Sequence, residues 1–442
     1  MPMPGPTPTP RPVTADRPDP VAPTRSHVTR TGWVAAGLLV FGGSNFAFLG
    51  FAARDLGDAR SAPIGLAWIL LNAIGIGLFQ PLEQEAGRRL AARRATTGEA
   101  RADLRHLVRL AIGACAVSAV VGLLLLGPIA SLAFHGHREM VVVLVLGLVG
   151  QAVAYLARGV LAGSGRFPRY GLQFMVDGVL RTAGAAALFG IGGTPGQYGA
   201  VMVVAPVLAT LVAVSPRAVG HAVLGPADRT GVRDRLGPLV AASTTGQLLA
   251  NVGPVAMAAL AGAQQQDLSG RFVFAVTIAR IPLFLFAAVQ AVFLPSLSAL
   301  LARRDGPGFA RTMRRAMAAT AALGGAGVLG VWLLGAWAMR VVYGFDLDSG
   351  LLALIATSGG LFMLAQAAAQ GLLAHRADAV VAIDWTAGLL ATVAALALPG
   401  DLATRVAIAM CVGATVAAVG HAWMLRTIHR RWVSPAPDGR LR

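Results

Sequence analysis

Apolar residues run through this chain in long blocks broken by short polar stretches, and the blocks set its organisation. Twelve of them, at about 32–53, 63–82, 108–128, 140–162, 170–192, 197–216, 237–261, 272–298, 315–338, 350–373, 378–398 and 403–425, read as membrane spans. At 1.5 Å rise per residue each reaches roughly 30 Å, enough to cross the hydrocarbon core. Helices satisfy their own backbone hydrogen bonds, so the pattern predicts an all-α polytopic membrane protein.

Residues 1–30 hold nine prolines and almost no large apolar side chain, which predicts a disordered tail without the apolar core of a signal peptide. This organisation gives a tail at 1–30, a six-helix lobe at 31–217, a linker at 218–235, a second six-helix lobe at 236–426 and a tail at 427–442. Between spans 2 and 3, Glu85, Arg89 and Arg93 fall four apart beside Leu82, Leu90 and Leu104. That segment reads either as an amphipathic helix lying at the interface or as a solvated connector.

Two stretches recur. Residues 158–181 read RGVLAGSGRFPRYGLQFMVDGVLR and residues 370–386 read QGLLAHRADAVVAIDWT, with the turn five residues shorter in the second copy. Phe79-Gln80-Pro81-Leu82 is echoed by Phe293-Leu294-Pro295-Ser296, each leading into arginines. The two echoes are offset by 212 and 214 residues, which predicts two related halves. An even six spans per half makes the copies parallel, related by an axis along the membrane normal.

Composition agrees with the membrane reading: 56% of residues are hydrophobic and 13% charged, against about 25% charged in soluble domains. The net charge of +17 is due to arginine, since lysine is absent. Of the 37 arginines, 29 fall in one alternating set of segments and six in the other. The positive-inside effect then puts both termini in the cytoplasm and explains the basicity without nucleic acid. Cys115 and Cys411 lie within apolar blocks and form no disulfide or metal framework. His135 and His137 lack further ligands, and GIGGTPG at 190–196 follows no strand, so neither a metal nor a phosphate loop is expected. No nucleophile arrangement and no large outer loop suggest an enzyme, and no cofactor is called for.

Ionisable groups within spans are costly and therefore functional candidates. Arg280, in TIARIPLFLF of span 8, has no acid within two helical turns. Its guanidinium suits a phosphate-bearing ligand, or else pairs with an acid such as Asp177 or Asp384. Asp177 and Arg181 lie four apart on span 5 and either neutralise each other, or Arg181 faces a cavity while Asp177 switches partner during transport as a second coupling residue. Asp384 has no basic neighbour on span 11 and is a candidate coupling site for a proton or sodium ion, or a hydrogen-bond partner of a neighbouring helix. Spans 1 and 7 are the polar members of their halves, with Ser44 and Asn45 in one and Ser243, Thr244, Gln247, Asn251 and Pro254 in the other. Interrupted spans at corresponding positions point to a binding site, so Asn45, Asn251 and Gln247 are expected to line it. Arg158, Arg88 and Arg89 would form its cytoplasmic rim.

The stretches FQPLEQEAGRRLAARR at 79–94, ARGVLAGSGRFPRYG at 157–171 and ARIPLFLFAAVQAVFLPSLSALLARR at 279–304 resemble the multidrug/oligosaccharidyl-lipid/polysaccharide exporter (MOP) superfamily, above all its bacterial polysaccharide flippases. The resemblance covers about residues 32–425. It implies a V-shaped pair of six-helix lobes in the bacterial plasma membrane that rock to expose a central cavity to each side in turn. It implies a lipid-linked saccharide as cargo, with Arg280 and Arg181 attracting its pyrophosphate. A cation-coupled multidrug exporter of the same superfamily is the alternative. A lipid II flippase is another, although those proteins usually carry two further spans.

Overall fold

The computed structural model describes residues 25–97, 104–214, 232–283, 286, 297, 300–301 and 303–433. Among them every regular element is helical. Helix α1 spans Arg25–Thr97 and is followed by α2 (Arg105–Leu124), α3 (Leu126–Ala133), α4 (Arg138–Gly163), α5 (Phe167–Ile191) and α6 (Pro195–Ala213). The second half holds α7 (Val232–Leu260), α8 (Gln266–Ala279), α9 (Gly306–Ala338), α10 (Ser349–Ala374), α11 (Asp378–Ala395) and α12 (Leu402–Val433). Nine of the described helices are long and apolar enough to cross a membrane. Large side chains such as Leu123, Leu124, Trp332 and Leu333 are exposed on their outer faces, as lipid requires. The chain is a multi-pass membrane protein.

Two expected spans are joined within α1. The chain reverses at Gly57, whose φ of 74° and ψ of 176° interrupt the helix. A side chain is strained at such a φ, so glycine sits there. Ser61 closes the corner by donating from Oγ to the Gly57 carbonyl at 2.6 Å. The arm before Gly57 packs on α5, with Gly37 so close to Gly171 that a Cβ on either would strike backbone. The arm after Gly57 returns along α4, where Leu71 meets Gly147 and Ala86 meets Gly159. Span 3 is likewise two helices, α2 and α3, broken at Leu125.

Several expectations about the polar segments change. Residues 83–97 form no separate interfacial helix. They extend the second arm of α1, burying Ala86 and Leu90. Glu85 there pairs with Arg88 at 2.7 Å and Arg89 at 2.8 Å. Of the expected tail, linker and C-terminal tail, residues 1–24, 215–231 and 434–442 lie outside the described residues, while helix begins at Arg25 and continues to Val433.

The repeat is visible as structure, with one correction. The turns between α4 and α5 (164–166) and between α10 and α11 (375–377) are the same length. Each carries one left-handed residue, Gly165 (φ 70°) and Arg376 (φ 60°). Of the five residues missing from the second copy, four are therefore absent from the helix after the turn and one from the end of the helix before it. Asp384 is six residues into α11, whereas Asp177 is ten into α5, so the two aspartates lie one helical turn apart in depth. The residue level with Asp384 in the first half is Gln173.

α1 is also the seam between the halves. On the arginine-rich side of Gly57, Ser243 of α7 donates to the Ile76 carbonyl at 3.2 Å and Thr244 packs on Gly77. At the opposite end Arg271 of α8 pairs with Asp58 at 2.8 Å and donates to the Asp346 carbonyl at 3.4 Å. Arg54 reaches across to the carbonyls of Val341 and Val342. Two of the six arginines on this sparsely charged side (Arg54 and Arg271) thus serve the junction.

At the arginine-rich end of the second half, His375 Nε2 and His429 Nδ1 lie 3.3 Å apart, and His429 stacks on Phe309 and on Trp432. Burial, then the neighbouring His429, pushes the His375 pKa down from 6.5 to about 4. The folded state therefore binds fewer protons than the unfolded chain between those values, and this contact loses stability as pH falls from about 6.5 towards 4. Hydrogen exchange should rise at 375–378 and 425–433 over that interval, and a His375→Phe variant should lack the pH dependence.

The Asp58–Arg271 pair is partly solvated, so it is worth about 1 kcal/mol, or about fivefold in a conformational equilibrium. Asp58→Arg should widen the distribution of spin-label distances between positions 60 and 265, Arg271→Asp should do the same, and the double exchange should narrow it again.

Candidate functional site

The buried charges divide between the halves, and the two sets are built differently. In the first half Asp177 and Arg181 are one helical turn apart on α5, and Oδ1 of Asp177 accepts from Arg181 at 2.9 Å. Arg181 also donates to Asn45 Oδ1 at 3.3 Å and lies 5.2 Å from the centre of the Phe41 ring. Ser44 lies beside Gly178, so α1 and α5 meet closely at this level. The Arg181 side chain is 2% exposed. Of the two possibilities open in the sequence, the pair is closed and Arg181 faces its partners.

Nearer the arginine-rich end, Arg158 departs from its expected place at an open rim. It is buried between α4, α5 and the second arm of α1, donating to Glu83 at 3.2 Å. Tyr170 donates to the other Glu83 oxygen at 3.0 Å. The guanidinium lies 4.0 Å from the Tyr155 ring centre and 4.8 Å from that of Phe174, which offers a weakly hydrated planar cation π faces in place of water. The Glu83 pairing could not be read from spacing, since the partners lie 75 residues apart, whereas Tyr155, three residues before Arg158 on one helix, could have been. Arg88 is exposed and Arg89 less so, both held by Glu85.

The second half is less fully neutralised. α8 ends at Ala279, and Arg280 follows in a tighter turn, donating from one terminal nitrogen to the Ala250 carbonyl of α7 at 2.5 Å. Among the described residues no carboxylate lies within ion-pair distance of it. It borders a cavity of about 30 Å³ whose other walls include Leu249, Ile355, Ser358, Phe362 and Met410. One water needs about 10–15 Å³ measured this way, so the space suits a water or two and not a diphosphate. All of its walls belong to the second half, which corrects the expectation that Arg280 faces a hollow shared between the lobes.

Asn251 and Gln247 sit on α7 outside the residues that line this cavity. Asn251 Nδ2 donates to the Gln247 carbonyl at 2.7 Å, and its second contact, to the Gln247 side chain, is 3.4 Å. The polarity of this span is thus partly spent within its own helix.

Behind the cavity, Phe362 stacks against Trp385 with ring centres 5.1 Å apart, and Trp385 meets His421 edge-on at 4.6 Å. His421, wholly buried, is a member of the site that sequence reading missed. Its Nε2 lies 4.0 Å from Oδ2 of Asp384, an oxygen that is buried and makes no hydrogen bond. Gly420 leaves the room the carboxylate occupies, since a Cβ there would come within 3.1 Å of it. The one available signal was a lone histidine in an otherwise apolar span, paired across helices with a lone aspartate.

With this geometry in hand the chain can be compared with known proteins. Its fold is that of the MATE transporters of the MOP superfamily. It superposes on the inward-facing form of a multidrug resistance MATE family transporter with a TM-score of 0.65 at 15% identity, over 88% of this chain and 94% of that one. On a variant of the MATE transporter VcmN of Vibrio cholerae the score is 0.65 at 15% identity, over 91% and 95%. The outward-facing form of a multidrug resistance MATE family transporter gives 0.62 at 14%, over 92% and 95%.

No protein-family model matches the chain. In sequence it is 31% identical over 388 residues to Rv1510 of Mycobacterium tuberculosis, an uncharacterized protein, covering 84% of this chain and 85% of the relative. Rv3630 of the same organism, also uncharacterized, is 27% identical over 411 residues, covering 88% and 89%. The chain belongs to the family of Rv1510.

Breaking a buried ion pair from one side leaves an uncompensated charge and costs about 3–5 kcal/mol, whereas replacing both partners by apolar groups is close to neutral. Arg181→Met should therefore lower the thermal midpoint of the protein in detergent sharply. Adding Asp177→Leu should recover most of the loss, and a double variant no better than the single one would show that Asp177 is compensated by some other group.

Proposed function

We propose that this protein is a transporter of the MOP superfamily that moves a lipid-linked saccharide from the cytoplasmic to the outer leaflet of a bacterial plasma membrane by alternating access. Its fold supports the class. The observation that favours this cargo is the charge left over inside the helices. Asp177 and Glu83 are consumed by Arg181 and Arg158, while Arg280 keeps a backbone carbonyl as its described partner. A guanidinium held this way can exchange a weak acceptor for the stronger one of a phosphate oxygen. The cavity is small in this conformation, so the headgroup meets Arg280 as α7 and α8 part. Asn45, Asn251 and Gln247 border the moving helices, and the arginine-rich end, with Arg88 and Arg89, faces the cytoplasm and its anionic lipid heads. Asp384 serves as the coupling site.

The second reading is a cation-coupled multidrug exporter. It is favoured by the solved structures of the same fold, which are multidrug resistance transporters.

Deletion of the gene separates the two. A flippase leaves lipid-linked oligosaccharide accumulated on the cytoplasmic leaflet; an exporter leaves glycolipids unchanged and brings new dye or drug sensitivity. Loss of a charge-assisted hydrogen bond costs about 1.5–3 kcal/mol, so Arg280→Ala at equal expression should slow flipping by about 10- to 100-fold, with Arg280→Lys in between. Full transport by both variants removes Arg280 from the site.

A further inference from the structure

The two halves place different chemistry at one equivalent position. In the first half Gln173 of α5 donates to Thr210 Oγ1 of α6 at 2.8 Å and lies 3.4 Å from the Ala154 carbonyl of α4. Gln173 and Thr210 are 37 residues apart, and Ala154 precedes Gln173 by 19. The same two spacings, counted from Asp384, arrive at His421 of α12 and Ala365 of α10. The Ala365 carbonyl faces the His421 ring, as the Ala154 carbonyl faces Gln173. The equal turns at 164–166 and 375–377 put these residues in one register. A neutral amide and a hydroxyl joined by a hydrogen bond, with only Gln173 Oε1 left without a partner, thus correspond to an acid and a base that are not joined.

We propose that Asp384 and His421 form a single binding site for one proton, shared between the carboxylate and the imidazole. This deepens the transport reading, since it names the ion and the second residue of the coupling site.

Counting protons shows why the number is one. With none, Asp384 Oδ2 is a buried anionic oxygen without a donor, and His421 Nδ1 is also unpartnered. That state carries the full cost of an unmet buried charge. His421 Nε2 lies 3.4 Å from the Val381 carbonyl, which can only accept, so in the neutral ring that nitrogen carries the hydrogen. One proton taken from water then sits either on the carboxyl or on Nδ1, and in the second case the Nε2–H of the imidazolium can turn from Val381 to Oδ2. Either form leaves the pair without net charge, and the proton belongs to the pair. With two, the acid is neutral and the imidazolium is left as a buried cation.

No other ionisable side chain competes. α7 from 236 to 260 and α10 carry none. On α11 and α12 the ionisable groups within two turns are Asp378 and Arg426, both towards the arginine-rich end. Arg280 is screened from them by the Phe362 and Trp385 rings.

The geometry also gives the proton something to move. At 4.0 Å the pair is too far apart for a hydrogen bond, which needs about 2.7–3.2 Å. Closing it draws α11 towards α12 by about 1 Å. Small residues line that seam: Gly388 lies against the Gly413 carbonyl, and Gly420 against Asp384 itself. The first-half pair is already closed at 2.8 Å and has no such step.

The test uses purified full-length protein in lipid vesicles, labelled with ¹³C,¹⁵N-histidine and titrated across about pH 5–8, the range of an ordinary imidazole. A His421→Gln difference spectrum assigns the resonance. In wild type the His421 signal and the protonated-carboxyl infrared band of Asp384 should change together, in one step of one proton. Asp384→Asn should shift or abolish the histidine step, and His421→Gln should shift the carboxyl step. The variant Asp384→Gln/His421→Thr installs the pair that already folds in the first half, so it should remain folded and lose the whole step. A His421 titration that is the same in wild type and Asp384→Asn would falsify the shared site, as would a step set by sodium concentration at fixed pH. Lipid-linked saccharide movement driven by a pH gradient should vanish in the double variant. A wild-type protein that shows the shared step yet moves no saccharide keeps the proton site and loses the proposed cargo.

Discussion

A charge placed among apolar helices has lost its water and must be given something in return. This requirement organises the protein more than any other, because the helices themselves are largely interchangeable apolar rods. Where a partner is supplied, the structure is closed: Asp177 with Arg181 and Asn45, Glu83 with Arg158 and Tyr170. Both clusters are in the first half, and both tie α5 to its neighbours. Where supply falls short, at Arg280 and at Asp384, the groups are in the second half and border a cavity or a gap. The halves share a layout but not a charge balance, so one is suited to act as a fixed body and the other to respond.

Helix packing translates that imbalance into geometry. The seam between the halves is almost entirely α1, which folds back on itself at Gly57 and meets α7 on one side and α8 on the other. The Asp58–Arg271 pair and the Arg54 contacts stand at the end where few charges occur. Their partial exposure to solvent makes them weak, which suits contacts that form and break as lobes move. The buried clusters, by contrast, would be expensive to open.

The aspartates show how far a repeat can be read. Their spacing suggests that Asp177 and Asp384 are counterparts. The turns show otherwise, since both contain three residues, and Asp384 is level with Gln173. A sequence comparison places the missing residues wherever the letters match best. A fold places them where the backbone can spare them, and a tight turn with one left-handed residue cannot be shortened.

Much of the fold was legible in the chain itself. Apolar blocks long enough to cross a bilayer, the bias of arginine to alternate segments and the echo near 212 residues each act through local physics or simple counting, and together they dictate an all-helical protein of two related halves. Asp177 and Arg181 could be matched because four residues is one helical turn. Tertiary structure alone decided that Arg158 is buried against Phe174 and Glu83, that Arg280 looks into its own half, and that His421 stands beside Asp384. The reason is that a helix fixes neighbours three and four residues away, whereas contacts between helices depend on which faces turn towards each other, and in lipid an apolar face carries no mark to say which.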